Sequence, residues 1–224
     1  MEAMSNSSLL DRFAALDSAA VSDALDQLGL PSGVGGIRPV WGPAAVVGFA
    51  VTVGLEPRVE GPAGAHIATT AVESSDDQSV IVVDNQGRTD VSCWGGILSL
   101  GAAQRGVRGV VTDGVCRDVA EARELGFPVF ARGAIPATAR GRLQQHFTGE
   151  PVSVAGLTVE QGDVVVADET GLVVVSRDRA EEVAEIATAI VARERAIADE
   201  VRAGTPLSQA MHDARLAGAK ESVR

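Results

Sequence analysis

Tyrosine is absent from all 224 residues, aromatic side chains make up only 3% of them, and a single lysine, Lys220, stands near the C-terminal end. The shortage of aromatics excludes an aromatic-rich binding surface and leaves the core to Ala, Val, Leu and Ile. One lysine outside the expected core gives no support to Schiff-base catalysis. Basic residues are outnumbered, 19 Lys and Arg against 30 Asp and Glu, for a net charge of −11. That excludes a duplex nucleic-acid footprint, which needs clustered cations, and disfavours an anionic membrane surface. No apolar run approaches the roughly 18–20 residues of a membrane span, and the N-terminus lacks a basic segment followed by an apolar one. A cytoplasmic protein is expected. The two cysteines, Cys93 and Cys116, have no metal-site spacing and are expected as reduced thiols in the core.

What is present is 46% hydrophobic residues and 25 glycines, enough for one full core with frequent tight turns. No internal repeat or low-complexity tract breaks the chain, so residues 1–224 read as one domain. A first helical region splits at Asp17-Ser18, where capping side chains precede a helix over 19–28 that Gly29 and Pro31 end. A buried strand follows over 44–53, a helix over 64–74 and a strand over 79–84. Next come a helix over 95–105, a strand over 107–112, a helix over 118–125 and a strand over 128–131. This alternation implies an α/β protein with parallel pairing. Beyond Pro151 short β segments at 152–154, 157–159, 164–167 and 172–175 are separated by hairpin-like turns. A long amphipathic helix over 178–202 and a shorter one after Pro206 close the chain; 178–224 is expected to be a helical extension packing on a neighbouring subunit.

The densest chemistry lies in Trp94-Gly-Gly-Ile-Leu and in Gly109-Val-Val-Thr-Asp-Gly-Val-Cys-Arg-Asp118. A helix opening at Gly95-Gly96 exposes first-turn amides at Ile97 and Leu98, whose partial positive charge favours a carboxylate or phosphate. Arg117, at the carboxyl end of a neighbouring parallel strand, faces the same crevice and suits a bidentate carboxylate. Asp118 offers a hard oxygen ligand for Mg²⁺ or Mn²⁺. Each has a plainer reading: Gly95-Gly96 as a backbone turn, Arg117 as half of a surface ion pair, Asp118 as the N-cap of the following helix. Asp113-Gly114 reads as a turn. His66 can face the crevice, whereas His146 and His212 lie in polar contexts. No zinc spacing, Walker pattern or Gly-x-Ser-x-Gly is present.

The segments Asp11-Arg-Phe13, Val21-Ser-Asp-Ala-Leu25, Gly36-Ile-Arg-Pro39, Val47–Val53, Gly109–Asp118, Gly126-Phe-Pro-Val-Phe130 and Gly162–Val175 together resemble the RraA-like family. That family includes class II 4-hydroxy-4-methyl-2-oxoglutarate aldolases, which also decarboxylate oxaloacetate, and shorter RraA proteins that regulate ribonuclease E. The resemblance implies a swivelling β/β/α domain with a long C-terminal helix, assembled as a homotrimer or hexamer with active sites between subunits. It implies that Arg117 holds the carboxylate of a 2-oxo acid, that amides at Ile97 and Leu98 contact the substrate, and that Asp118 binds Mg²⁺ or Mn²⁺. Glu194 is the best match, on a helix that also offers Glu181, Glu182, Glu185 and Glu200, to a glutamate that joins the metal shell through water from a neighbouring subunit. The function implied is a metal-dependent lyase that releases pyruvate from a small 2-oxo di- or tricarboxylate.

The alternatives are a non-catalytic RraA-like regulator or binding protein, and a different enzyme on the same scaffold. A methyltransferase, a label often carried in this family, is disfavoured because no glycine-rich nucleotide-binding motif follows a first strand. The aldolases of the family carry an acidic residue at the position of Gly96, whereas RraA proteins carry glycine. Another carboxylate, such as Asp84 or Asp90, can approach the metal's water shell in its place.

Overall fold

In the computed structural model, residues 6–61 and 64–212 are described. The chain runs α1 (Asn6–Ala14), α2 (Ser18–Gln27), β1 (Arg38–Pro39), β2 (Val46–Pro57), α3 (Thr69–Ser74), β3 (Ser79–Asp84), β4 (Ser92–Trp94), α4 (Gly96–Gln104), β5 (Gly109–Thr112) and β6 (Val115–Cys116). It continues α5 (Val119–Glu124), β7 (Val129–Ala131), β8 (Leu143–Thr148), β9 (Val152–Val154), β10 (Leu157–Val159), β11 (Val164–Ala167), β12 (Leu172–Val175), α6 (Ala180–Arg202) and α7 (Leu207–Ala210). The main sheet has the order β1-β7-β5-β3-β2-β11-β12, with β8 also paired to β2.

The expected α/β alternation gives a parallel centre, in which β2, β3, β5 and β7 pair successively in parallel. β2 is the hub, because its first half takes β11 antiparallel and its second half takes β8 antiparallel. It therefore extends past the expected 44–53. The switch of partner falls between Phe49, which pairs with β11, and Val53, which pairs with β8, and the β8 pairing shifts register between Gly54 and Leu55, where a Cβ at Gly54 would overlap the Phe147 ring. The strand β8 was not expected from the sequence, since Leu-Gln-Gln-His-Phe-Thr lacks a continuous β-branched run.

Alternation along the strands builds a layered core. Ile81 and Val83 face Val72, Leu98, Ala102 and Ala122 from α3, α4 and α5. Val80 and Val82 face the other way, onto the β9–β10 hairpin residues Val152, Val154 and Val159. A third cluster packs Leu10, Phe13, Val21 and Leu25 of α1 and α2 against Val183, Ala187 and Ile190 of α6 and the Val164–Val175 ladder. Each fully buried Val, Leu or Ile contributes about 1.5–3 kcal/mol, so aliphatic side chains carry most of a core that also buries Phe13, Trp94, Phe127 and Phe130.

The helix expected over 64–74 is shorter, beginning only at Thr69. Ala68 adopts φ +61, and its N–H donates to the Gln145 side chain at 2.8 Å, which fixes residues before it as an irregular wall. The apolar stripe of α6 is buried in its own chain; Glu194 stands on the exposed side. Residues 213–224 of the expected extension, including Lys220, lie outside the described residues. Among the described residues no helix is long and apolar enough to cross a membrane.

Candidate active site

Two short strands position the chemistry. β4 and β6 pair in parallel beyond the carboxyl ends of β3 and β5, and the pairing continues through the Arg117 N–H to the Trp94 carbonyl at 2.9 Å. The chain therefore leaves β4 into the N-terminus of α4 beside the point where it leaves β6 into Arg117-Asp118. Trp94 anchors this junction. Its buried ring stacks on Phe127 at 6.2 Å, and its indole N–H donates to the Ser99 hydroxyl at 2.9 Å. The Ser99 hydroxyl in turn donates to the Gly95 carbonyl at 3.2 Å.

The first helical bond of α4 runs from the Ser99 N–H to the Gly95 carbonyl at 3.0 Å, so the N–H groups of Gly96, Ile97 and Leu98 have no acceptor within the helix. The Gly96 N–H donates instead to Asp118 Oδ2 at 3.0 Å. The same oxygen accepts from Arg117 Nε at 2.9 Å. Asp118 occupies the N-cap position of α5, yet its side chain makes no capping bond there and its backbone is left-handed, φ +57 and ψ +41. Aspartate tolerates that conformation better than most residues, but it still costs about 1–2 kcal/mol. The plain N-cap reading of Asp118 therefore fails: the residue is turned away from its own helix and back onto α4.

Burial raises the Asp118 carboxyl, but the Gly96 N–H and the Arg117 guanidinium outweigh it and hold the group below the ordinary carboxylate value. It is ionised at neutral pH. Both hydrogen bonds fall on Oδ2; among the described residues Oδ1 accepts none, and Arg117 donates through Nε alone. The arrangement leaves one hard oxygen and the two outer guanidinium nitrogens for a ligand.

Gly95, Gly96, Ile97, Leu98, Arg117 and Asp118 all line one cleft of about 140 Å³, so the structure brings six of the seven expected site residues together. His66 also lines it, as expected, but from the irregular segment rather than a helix. Glu194 does not; within one chain it borders a separate hollow with Asp17 and Arg195. His146 lies instead 3.5 Å from Glu56, and the Asp113 carboxylate is buried, accepting from the Asn85 and Gly87 N–H groups as a loop brace. Both cysteines are buried thiols, with burial pushing Cys93 up to about 12 and Cys116 up to about 11.

The expected substitute carboxylates are engaged elsewhere. Asp84 accepts from the Gln86 and Ser153 N–H groups, and Asp90 pairs with Arg88. The carboxylate that reaches Gly96 is Glu121, one turn into α5: a Cβ at Gly96 would overlap it. Sequence reasoning missed it, although Glu121 lies three positions after Asp118 and so returns to the same end of the helix.

Comparison with known proteins identifies the family. The RraA-like family model, described as Aldolase/RraA, matches residues 18–174. A Legionella pneumophila protein, DlpA, is 33% identical over 205 residues, covering 92% of this chain but only 33% of its own length. The chain thus spans about one third of that relative. A Halalkalibacterium halodurans protein named "Putative 4-hydroxy-4-methyl-2-oxoglutarate aldolase" is 31% identical over 199 residues, 87% of this chain and 90% of the relative. An uncharacterised Pseudomonas syringae protein of known structure superposes with a TM-score of 0.83 at 34% identity, over 94% of this chain and 99% of that one. Streptomyces coelicolor RraAS2, described as an unusual member of the RNase ES inhibitor RraA family, gives 0.79 at 27% identity, over 89% and 100%. The chain belongs to the RraA-like family.

Proposed function

We propose that this chain is a divalent-metal-dependent lyase that cleaves a carbon–carbon bond of a small 2-oxo di- or tricarboxylate and releases pyruvate. The observation that carries the reading is the Asp118 carboxylate, strained out of its capping role with Oδ1 accepting no hydrogen bond among the described residues. The aldolase name of the Halalkalibacterium relative supports the same class.

The residues fit a Mg²⁺ or Mn²⁺ ion of the kind that keeps most of its waters. Among the described residues no group of three His, Cys, Asp or Glu side chains converges, which argues against an all-protein cage, but one or two carboxylates suffice for such an ion. Asp118 is the direct ligand in this proposal, with Glu121, and Glu194 from a neighbouring copy in a homotrimer or hexamer, holding its waters. When bound, the cation supplies Lewis-acid stabilisation of negative charge developing on the 2-oxo group.

The chain's own groups do the rest. Arg117, with Nε fixed by Asp118, presents its outer nitrogens to the substrate carboxylate and sets the orientation of the bond to be broken. The Ile97 and Leu98 amides at the start of α4 add partial positive charge at the same end of the cleft, where pyruvate-derived negative charge develops. A water delivers the final proton.

Release of pyruvate from oxaloacetate and from 4-hydroxy-4-methyl-2-oxoglutarate, coupled to a dehydrogenase, tests the proposal. Release is expected with Mg²⁺, abolished by chelator, and reduced about 100-fold or more in Arg117→Ala. Gly96 favours a second reading, a non-catalytic binding protein. No release by wild type or Gly96→Asp on either substrate would select that reading.

A further inference from the structure

The small cleft does not end at Arg117. Its His66, Ile67, Ala139 and Arg140 walls are shared with a larger adjoining space of about 730 Å³, to which Arg58 and Gln144 also contribute. At about 140 Å³ the inner cleft is below the roughly 300–1,000 Å³ usual for ligand sites, and the adjoining space gives a longer ligand room to extend. The charge of that route opposes the charge of the chain. Against a net −11 overall, the two linings carry Arg58, Arg117 and Arg140 with His66, and Asp118 as their one carboxylate among the described residues.

The polar groups of the outer space are not equally committed. Gln144 accepts from the Val59 N–H and donates to Glu56, and Gln145 accepts from the Ala68 N–H and donates to Thr148. Arg58 donates to the Gly61 carbonyl at 3.1 Å. The Arg140 guanidinium makes no hydrogen bond or ion pair among the described residues, yet its backbone is held: its N–H donates to the Thr138 hydroxyl at 3.2 Å, and Arg142 braces the same turn through the Thr138 carbonyl at 2.9 Å. A cation without a side-chain partner among the described residues, on a tethered turn between two cavities, is placed to receive an anion.

We infer that the outer space is a second anion subsite, in which Arg140, with Arg58 and His66 beside it, binds the distal carboxylate of a 2-oxo dicarboxylate whose 2-oxo acid end lies at Arg117. This rests on the proposed function for the inner end only. It explains how an acidic chain admits a multiply charged substrate, and it makes Arg140 the residue that separates dicarboxylates from pyruvate itself.

Calorimetric titration of the Mg²⁺-loaded protein with pyruvate and with 2-oxoglutarate, which adds a distal carboxylate to the same 2-oxo acid end, tests it. Wild type is expected to bind 2-oxoglutarate about tenfold more tightly. Arg140→Gln should remove that advantage while leaving pyruvate within about twofold, and Arg117→Ala should weaken both. Equal affinities in wild type, or an Arg140→Gln loss shared equally by both ligands, would overturn the subsite. Binding of neither ligand would sink the subsite and the 2-oxo acid reading together. The affinity split without pyruvate release in the coupled assay would sink the lyase reading alone.

Discussion

Asp118 and Asp168 are two aspartates whose carboxyls are both held below the ordinary value against the opposing effect of burial, and they differ in where their oxygens point. Asp168 directs everything inward: the Ser18 N–H and hydroxyl each donate to it at 2.8 Å, as does the Thr170 N–H, with the Gly171 N–H at 3.3 Å. It ties the start of α2 to the β11–β12 turn. Asp118, on a strained backbone and lining the cleft, gathers both of its bonds on one oxygen, and among the described residues nothing donates to the other. A lowered carboxyl is thus no sign of function by itself; the uncommitted oxygen and the strain distinguish the two.

The largest expected effect sharpens that contrast. Asp118→Asn should lower kcat/KM for pyruvate release by about 100-fold or more, with a smaller loss of stability than at Asp168, since only the bonds from the Gly96 N–H and Arg117 Nε are affected and an Asn side-chain oxygen still accepts them. Asp168→Ala should do the reverse. It strands three backbone N–H donors and a hydroxyl, at a cost of about 2–4 kcal/mol in urea unfolding, while activity per folded molecule stays at the wild-type level.

Acid unfolding separates Asp168 by sign. Its folded value lies below the ordinary 3.8, so its contribution is fully present above the unfolded value and is lost as pH falls through the folded one. Buried Asp113 and Asp163, which burial raises, act in the opposite sense. The measurement is therefore the difference in urea midpoint between wild type and Asp168→Asn at each pH. That difference should be constant near neutrality and shrink below about pH 4.

The smallest effect concerns Gly96. Gly96→Ala displaces chiefly the far end of Glu121, an exposed side chain, and comes within 3.2 Å of its Cβ, so its stability cost should be about 1 kcal/mol. A cost of several kcal/mol would mean that Glu121 is fixed in place.

Much of the fold was legible in the sequence because β-branched runs such as Ser79–Asp84 and Val164–Ala167 sit between turn residues, and Asp17 marks the start of α2 by accepting from the Ala20 N–H. The strands β4 and β6 were not, being two or three residues long and formed through pairing with each other and, for β6, with a bridge to Ala134. The cleft residues Gly95–Leu98 and Arg117–Asp118 were legible as a pair of segments, since a glycine-started helix and a charged pair after a parallel strand meet at one sheet end. Glu121 and Arg140 were not legible. The first is brought in by the left-handed turn at Asp118, the second by a hydrogen-bonded turn that no local pattern announces.

The most direct test of the central claim is Mn²⁺ binding followed by electron paramagnetic resonance on the wild-type protein and on Asp118→Asn and Asp168→Asn. The account predicts saturable, stoichiometric Mn²⁺ binding in wild type and Asp168→Asn and its loss in Asp118→Asn. Undiminished binding in Asp118→Asn would contradict it.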